Sequence, residues 1–231
     1  MNSSENLILN GAPLVADLSG ALLWPERRLM VVADLHLEKG SAFAQRGQLL
    51  PPYDTGATLA RLEAVVESRR PEMVICLGDS FHDRRAAERL SRPDAERIAR
   101  LTAGRDWIWV TGNHDPEPPA HLGGRIEDAV TLGPLCFRHE AAAGAGGEVS
   151  GHYHPVAAVR VRGRRVRARC FASDGRRLIM PSFGAYTGGL NVLDRALAPL
   201  LGRRFQVHMM GRERLFEFPS ARLEPDLERV F

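Results

Sequence analysis

Apolar positions in the first half of the chain fall into short, unbroken runs. Residues 7–10, 13–17 and 21–24 read as brief strands, with an Asn10-Gly11 turn between the first two. A fourth run, 29–32, leads straight into Asp34-Leu35-His36. Leu59, Leu62, Val65 and Val66 then recur at helical spacing, which predicts a helix over 54–69 with Asp54 as N-cap and Pro71 closing it. Residues 73–77 form a continuous apolar strand ending in Gly78-Asp79. Ser91, with Asp94 three residues on, opens a second helix running to about Leu101. Residues 107–110 make another strand, ending in Gly112-Asn113-His114-Asp115. Strands alternating with helices predict parallel strands joined by crossovers, hence an α/β fold.

From Val130 onward the pattern turns to strands and turns. Residues 135–137 lead to His139, an Ala/Gly loop covers 141–147, and Gly151-His152-Tyr153-His154-Pro155 precedes an arginine-rich hairpin reaching Phe171. A strand at 178–180 and the segment SFGAYTGGLNV lead to a polar tail. Neither an internal repeat nor a long linker divides the 231 residues, so a single domain over 1–231, with its motifs in 29–190, is expected.

Hydrophobic residues make up 44% of the chain and aromatics 6%, so the core is expected to be mainly Leu, Val, Ile and Ala. No apolar run approaches the roughly 18 residues of a membrane span, and the segment MNSSENLILNG lacks the features of a signal peptide. Cys76, Cys136 and Cys170 form no CxxC pair, which argues against a disulfide framework and a zinc-thiolate site. A cytoplasmic protein without membrane partners is expected. Net charge is only +3, yet 30 of the 31 basic residues are arginine, with Lys39 the exception. That total suits a GC-rich coding bias; where the arginines sit is more telling.

Three strands end in chemistry-bearing residues: Asp34 and His36, Asp79, then Asn113 and His114. In a parallel sheet these ends share one edge, where such folds bind ligands. His139, His152 and His154 add imidazoles from the second half. Seven donors without a Cys are too many for one tetrahedral zinc and suit two ions sharing a carboxylate. Each piece alone is ordinary turn chemistry. Together, in this order and each after a strand, they are improbable as turns. His82 and His121 read as surface or supporting residues, and His208 as structural.

These motifs resemble the calcineurin-like metallophosphoesterases. The resemblance implies a four-layer α/β/β/α metallophosphoesterase sandwich and a metal-dependent phosphoric-ester hydrolase. It also implies one ion on Asp34, His36 and His154, another on Asn113, His139 and His152, Asp79 bridging them, and His114 facing the phosphate as the catalytic residue. Ligand type ranks Mn²⁺ first, with Zn²⁺ or Fe²⁺ as alternatives. Asp115 is placed either to orient the His114 imidazole or to serve the turn. The flanks EKG, PPYDT, GDSFHD, GHYHP and FGAYTGGLNVLD are similar to the bacterial ligase-associated branch, whose members are taken as DNA-damage-response endonucleases grouped with a DNA ligase, a helicase and an exonuclease-like protein. The implied substrate is nucleic acid, DNA before RNA; the alternative is a small-molecule or protein phosphatase of the same superfamily.

The hairpin supplies a second substrate argument. With a Gly163-Arg164 turn, Arg162 would face Arg165, Val161 Val166, and Arg160 Arg167. Valines then line one face and Arg160, Arg162, Arg165, Arg167 and Arg169 the other. Like charges directly opposite destabilise a sheet, so that face wants anions, either solvent counter-ions or a phosphate backbone. Arg160, Arg162, Arg165 and Arg167, with His121, are the candidates for substrate contact.

Overall fold

The computed structural model describes residues 4–48, 50–51, 53–117 and 119–226. Along the chain come β1 (Ser4–Leu9), β2 (Ala12–Asp17), β3 (Leu22–Trp24), β4 (Leu29–Ala33), α1 (Lys39–Gln45), α2 (Asp54–Arg69), β5 (Met73–Leu77), α3 (Ala86–Arg89), α4 (Arg92–Thr102), β6 (Asp106–Val110) and β7 (Arg125–Glu127). The second half holds β8 (Ala129–Leu132), β9 (Leu135–Arg138), β10 (Glu148–Ser150), β11 (Pro155–Val161), β12 (Arg164–Ser173), β13 (Arg177–Ile179), β14 (Leu190–Asn191), β15 (Gln206–Met210) and β16 (Leu215–Pro219). No helix among the described residues is long and apolar enough to cross a membrane.

One sheet runs in sequence order from β1 to β7, antiparallel up to β4 and parallel from β4 to β7. The other has the order β14-β11-β12-β13-β10-β9-β8, with β15 and β16 attached beside β12. Both faces of β4, β5 and β6 are buried, which is why these strands are apolar without alternation. Val31, Ile75 and Ile108 face Phe137, Val149, Phe171 and Leu178 of the other sheet. Met30, Val32, Val74, Cys76, Trp107 and Trp109 face the helices, against Leu59 and Leu62 of α2 and Ile98 and Leu101 of α4. On the far side of the second sheet, Val192, Leu197, Leu200, Leu201 and Phe205 cover Ala157, Val159 and Cys170 from a run of turns rather than a regular helix. The architecture is the expected α/β sandwich of two sheets, with regular helices on the outer face of the first and turns in the outer layer of the second.

Local expectations meet three differences. Ser91 caps α4 as the spacing predicts, its hydroxyl accepting the Asp94 N–H at 3.2 Å. Asp54, in contrast, is the first residue inside α2 rather than its cap, and its carboxylate accepts the Gly40 N–H at 2.9 Å, tying α1 to α2. The short helix α1 has no periodic signal. It is held by tertiary contacts instead, with the Glu38 carboxylate accepting from Ser41 Oγ (2.6 Å) and Thr55 Oγ1 (2.9 Å). Finally, the β11–β12 hairpin turns at Arg162-Gly163, one residue earlier than expected, pairing Arg160 with Arg165 and Ala158 with Arg167. Both turn residues have positive φ (48° and 77°), the pattern of a primed turn with glycine second. The register therefore shifts by two, which leaves the division of side chains between faces unchanged.

Candidate metal centre

Parallel pairing sets Ala33 beside Leu77 and Leu77 beside Val110, so β4, β5 and β6 end level with one another. The loops stay stitched beyond them: Asp34 N–H donates to Gly78 O (3.3 Å) and His36 N–H to Asp79 O (2.9 Å). In the second sheet β9 and β10 are parallel neighbours, and Gly151 N–H reaches His139 O at 3.0 Å. Both sheets thus deliver their histidines and aspartates to one edge.

The backbone there is strained. Asp34, His36, Asp79, His152 and His154 all have φ between 44° and 69°. Each such non-glycine residue costs roughly 1–2 kcal/mol, and in Asp34-Leu35-His36 the curl aims both functional side chains at one point. Two glycines make room. At Gly78 (φ 65°) a Cβ would lie 2.4 Å from the His139 ring, and at Gly112 it would lie 2.2 Å from Asp79 N. The GD and GN dipeptides are therefore cradles for side chains lying across them.

Two donor clusters result. Asp34, His36 and His154 offer ligand atoms within 4.8 Å of one another, as do Asp79, His139 and His152. Asp79 stands between them, Oδ2 3.8 Å from His36 Nε2 and Oδ1 3.4 Å from His139 Nε2. Asn113 Oδ1 sits 2.9 Å from both His139 Nε2 and His152 Nδ1. His139 Nδ1 donates to Leu77 O at 3.0 Å, which leaves Nε2 as the ring nitrogen turned toward these oxygens. Burial, reinforced by His154 and His114 nearby, lowers the His36 pKa to about 2. Burial and then His139 lower that of His152. Neutral imidazoles, carboxylates and an amide oxygen converging lone pair to lone pair are a donor set that a divalent cation fits.

Residues 27–163 match the family model of the calcineurin-like phosphoesterases. The chain belongs to that family. It is a metal-dependent hydrolase of phosphoric esters, and its His/Asp clusters could hold the divalent ions that the family uses. Among solved structures, the chain is similar to the Pseudomonas putida nuclease MPE, at 29% identity and TM-score 0.71, covering 92% of this chain and 100% of that one. Yfce, a phosphoesterase from E. coli, aligns at 17% identity and TM-score 0.42, covering 84% and 98%. No curated protein matches.

Two side chains complete the site of this calcineurin-like phosphoesterase. His114 has its side chain 40% exposed and Nε2 3.9 Å from Asp79 Oδ2. Its Nδ1 pairs with His82 O at 2.8 Å, so that carbonyl, rather than Asp115, orients the ring. Asp115 is the turn residue of the two readings: its Oδ2 accepts the Phe81 N–H at 3.0 Å, and burial raises its pKa to about 8, with Asp79 beside it adding to the rise. His82 is buried, stacks on His114 at 5.3 Å between centroids, and forms a third cluster with His36 and His114. Of the surface and supporting readings of His82, its place against His114 is the supporting one. Its signal is the GDSFHD spacing, which carries the chain from Asp79 back over the site.

The remaining candidates lie apart. His121 is exposed on a single turn, Ala120–Leu122, and joins none of the clusters found among the described residues. The arginine face finds its anions inside the chain. Arg160 meets Glu224 at 2.9 Å, while Arg165 and Arg167 meet Asp226 at 3.0 and 3.2 Å. Arg169 donates to Ser182 O at 3.0 Å. Arg162 is in the exposed turn. Part of the repulsion expected across this ladder is thus met by Glu224 and Asp226, which follow the single turn Ser220–Arg222.

Proposed function

We propose that this calcineurin-like phosphoesterase is a dimetal phosphodiesterase acting on nucleic acid, and specifically a DNA endonuclease serving repair. The carrying observation is the pair of donor clusters with Asp79 between them. The full-length likeness to a nuclease at 29% identity supports the substrate class. In this reading Asp34, His36 and His154 hold one ion, Asn113, His139 and His152 the other, and Asp79 both, with Mn²⁺ the ion of choice. Such ions, when bound, neutralise phosphate charge and acidify water.

The chain's own groups do the rest. Backbone N–H of His152, 3.0 Å from Asp34 Oδ2, fixes that carboxylate, and the Leu77 carbonyl fixes the tautomer of His139. His114, locked by His82 O through Nδ1, keeps Nε2 free at the exposed side. As the imidazolium, it stabilises the ester's non-bridging oxygens there through its Nε2–H or hands that proton to the departing alkoxide. Association with a DNA ligase, a helicase and an exonuclease-like protein belongs to the same proposal, on the flanking motifs.

Circular DNA tests the reading, because circles have no ends. Metal-stripped protein given Mn²⁺ should linearise single-stranded or duplex circles, and chelator should stop it. Hydrolysis of phosphomonoesters with circles left intact would overturn the nuclease assignment in favour of a phosphatase.

A further inference from the structure

Beside the metal centre, a groove of about 710 Å³ runs between α1 and the segment carrying α3, and it opens on Asn113 and His114. The size is that of a ligand site, roughly 300–1,000 Å³. Lys39 and Phe43 of α1 and Arg46, which caps its C-terminus, line one wall at i, i+4 and i+7. Arg84, Arg85 and Arg89 line the other. Asp83 is the lining carboxylate, and Arg89 holds it at 2.8 Å; Arg85 is occupied by Glu88 at 3.0 Å. Lys39, Arg46 and Arg84 have no carboxylate within ion-pair distance among the described residues. Three free cations thus face one channel, whereas Arg160, Arg165 and Arg167 of the β11–β12 hairpin share Glu224 and Asp226 of their own chain.

Aromatic rings continue this channel into the site. Lys39 Nζ lies 5.8 Å from the centroid of Phe43, Phe43 lies 5.8 Å from His82, and His82 stacks on His114. Phe43 is part-exposed at the start of the row. A cationic groove with an aromatic face suits one ligand chemistry: a polyphosphate backbone whose unpaired bases can stack.

We infer that this groove is the strand-binding subsite of the nucleic-acid reaction proposed above, on which the inference rests. Lys39, Arg46 and Arg84 take backbone phosphates on one side of the scissile bond, and Phe43 stacks on a flanking base. The site assigns to α1 a function in placing the phosphodiester beside His114.

Binding of a fluorescent single-stranded oligonucleotide, titrated with salt, tests it together with hydrolysis of bis(p-nitrophenyl) phosphate. The double variant Arg46→Gln/Arg84→Gln alters exposed side chains only and should hydrolyse the small ester like the parent. Its slope of log K against log salt should fall by about 1.4, which is about 0.7 for each single-strand phosphate that is no longer neutralised. Phe43→Leu keeps an apolar side chain on α1 and should weaken binding roughly 5- to 150-fold, the scale of removing one base stack. Parent-like affinity and slope in both variants would overturn the groove while leaving the nuclease reading intact. A parent that hydrolyses the small ester and binds no oligonucleotide would overturn both.

Discussion

His114 shows how much a single residue's role depends on neighbours remote in sequence. Its motif position marks it as the group facing the ester, but what aims it is the main-chain carbonyl of His82, 2.8 Å from Nδ1. Because that partner is backbone, the His114 tautomer survives any change of the His82 side chain that keeps the loop. His114→Ala should leave metal content unchanged and slow ester hydrolysis by roughly 10²–10⁴-fold, the scale of a general acid or base. Metal analysis beside turnover on good and poor leaving groups checks this; loss of metal in the variant would make His114 a ligand. At this scale the site was legible from residue types, since Asp34, His36, Asp79, Asn113, His139, His152 and His154 do converge. The burial of His82 was not, because a lone histidine in a loop has no periodicity to reveal it. Asp115 was open between the imidazole and the turn, and its carboxylate serves the Phe81 amide.

Elements were readable where burial alone dictates composition. The runs forming β4, β5 and β6 are apolar on both faces, and α2 carries the stripe that its packing demands. Elements held by specific contacts were not readable: α1 depends on Glu38, Thr55 and Asp54, and nothing in KGSAFAQ announces a helix. The hairpin register turned on whether glycine is first or second in a two-residue turn. A comparable hidden contact holds the second sheet. Arg177 of β13 lies 2.9 Å from Glu148 of β10, with the side chains 3% and 1% exposed. The same guanidinium donates to Leu200 O at 2.6 Å and to Ala142 O and Ala145 O, binding the outer turns to the sheet. Arg177→Met strands a buried carboxylate whose other cation, Arg138, is 3.7 Å away. A loss of about 3–5 kcal/mol is expected, measured by urea denaturation. Arg177→Met/Glu148→Met should recover the part due to the stranded charge, and the remainder is what the guanidinium contributes by tying down the outer turns. A single-variant loss below about 1 kcal/mol would show the pair to be solvent-screened.

At the scale of the whole molecule, the buried titratable groups set how stability follows pH, and they pull in opposite directions. Burial lowers the pKa of His36 to about 2 and of His82 to about 4, and lowers those of His152 and His208. Unfolding frees these imidazoles to protonate near 6.5. Their contribution is present above that pH and is lost as pH falls below it. Asp115 behaves conversely. Its folded pKa of about 8 lies above the unfolded value of 3.8, so its contribution is complete below 3.8 and is lost as pH rises toward 8. Below pH 6.5 several histidines outweigh one aspartate, and stability climbs with pH. Between 6.5 and 8 the aspartate acts alone, and stability falls by about 1.4 kcal/mol per pH unit for the one proton involved. Protein kept in chelator should therefore be most stable near pH 6.5. Asp115→Asn keeps an oxygen for the Phe81 amide and removes the titration. That variant should climb more steeply to pH 6.5, with no aspartate opposing the histidines, and then hold level to pH 8. Denaturant midpoints of both proteins across pH 4–8 decide it, and a variant that declines above 6.5 as steeply as the parent would remove Asp115 as the source.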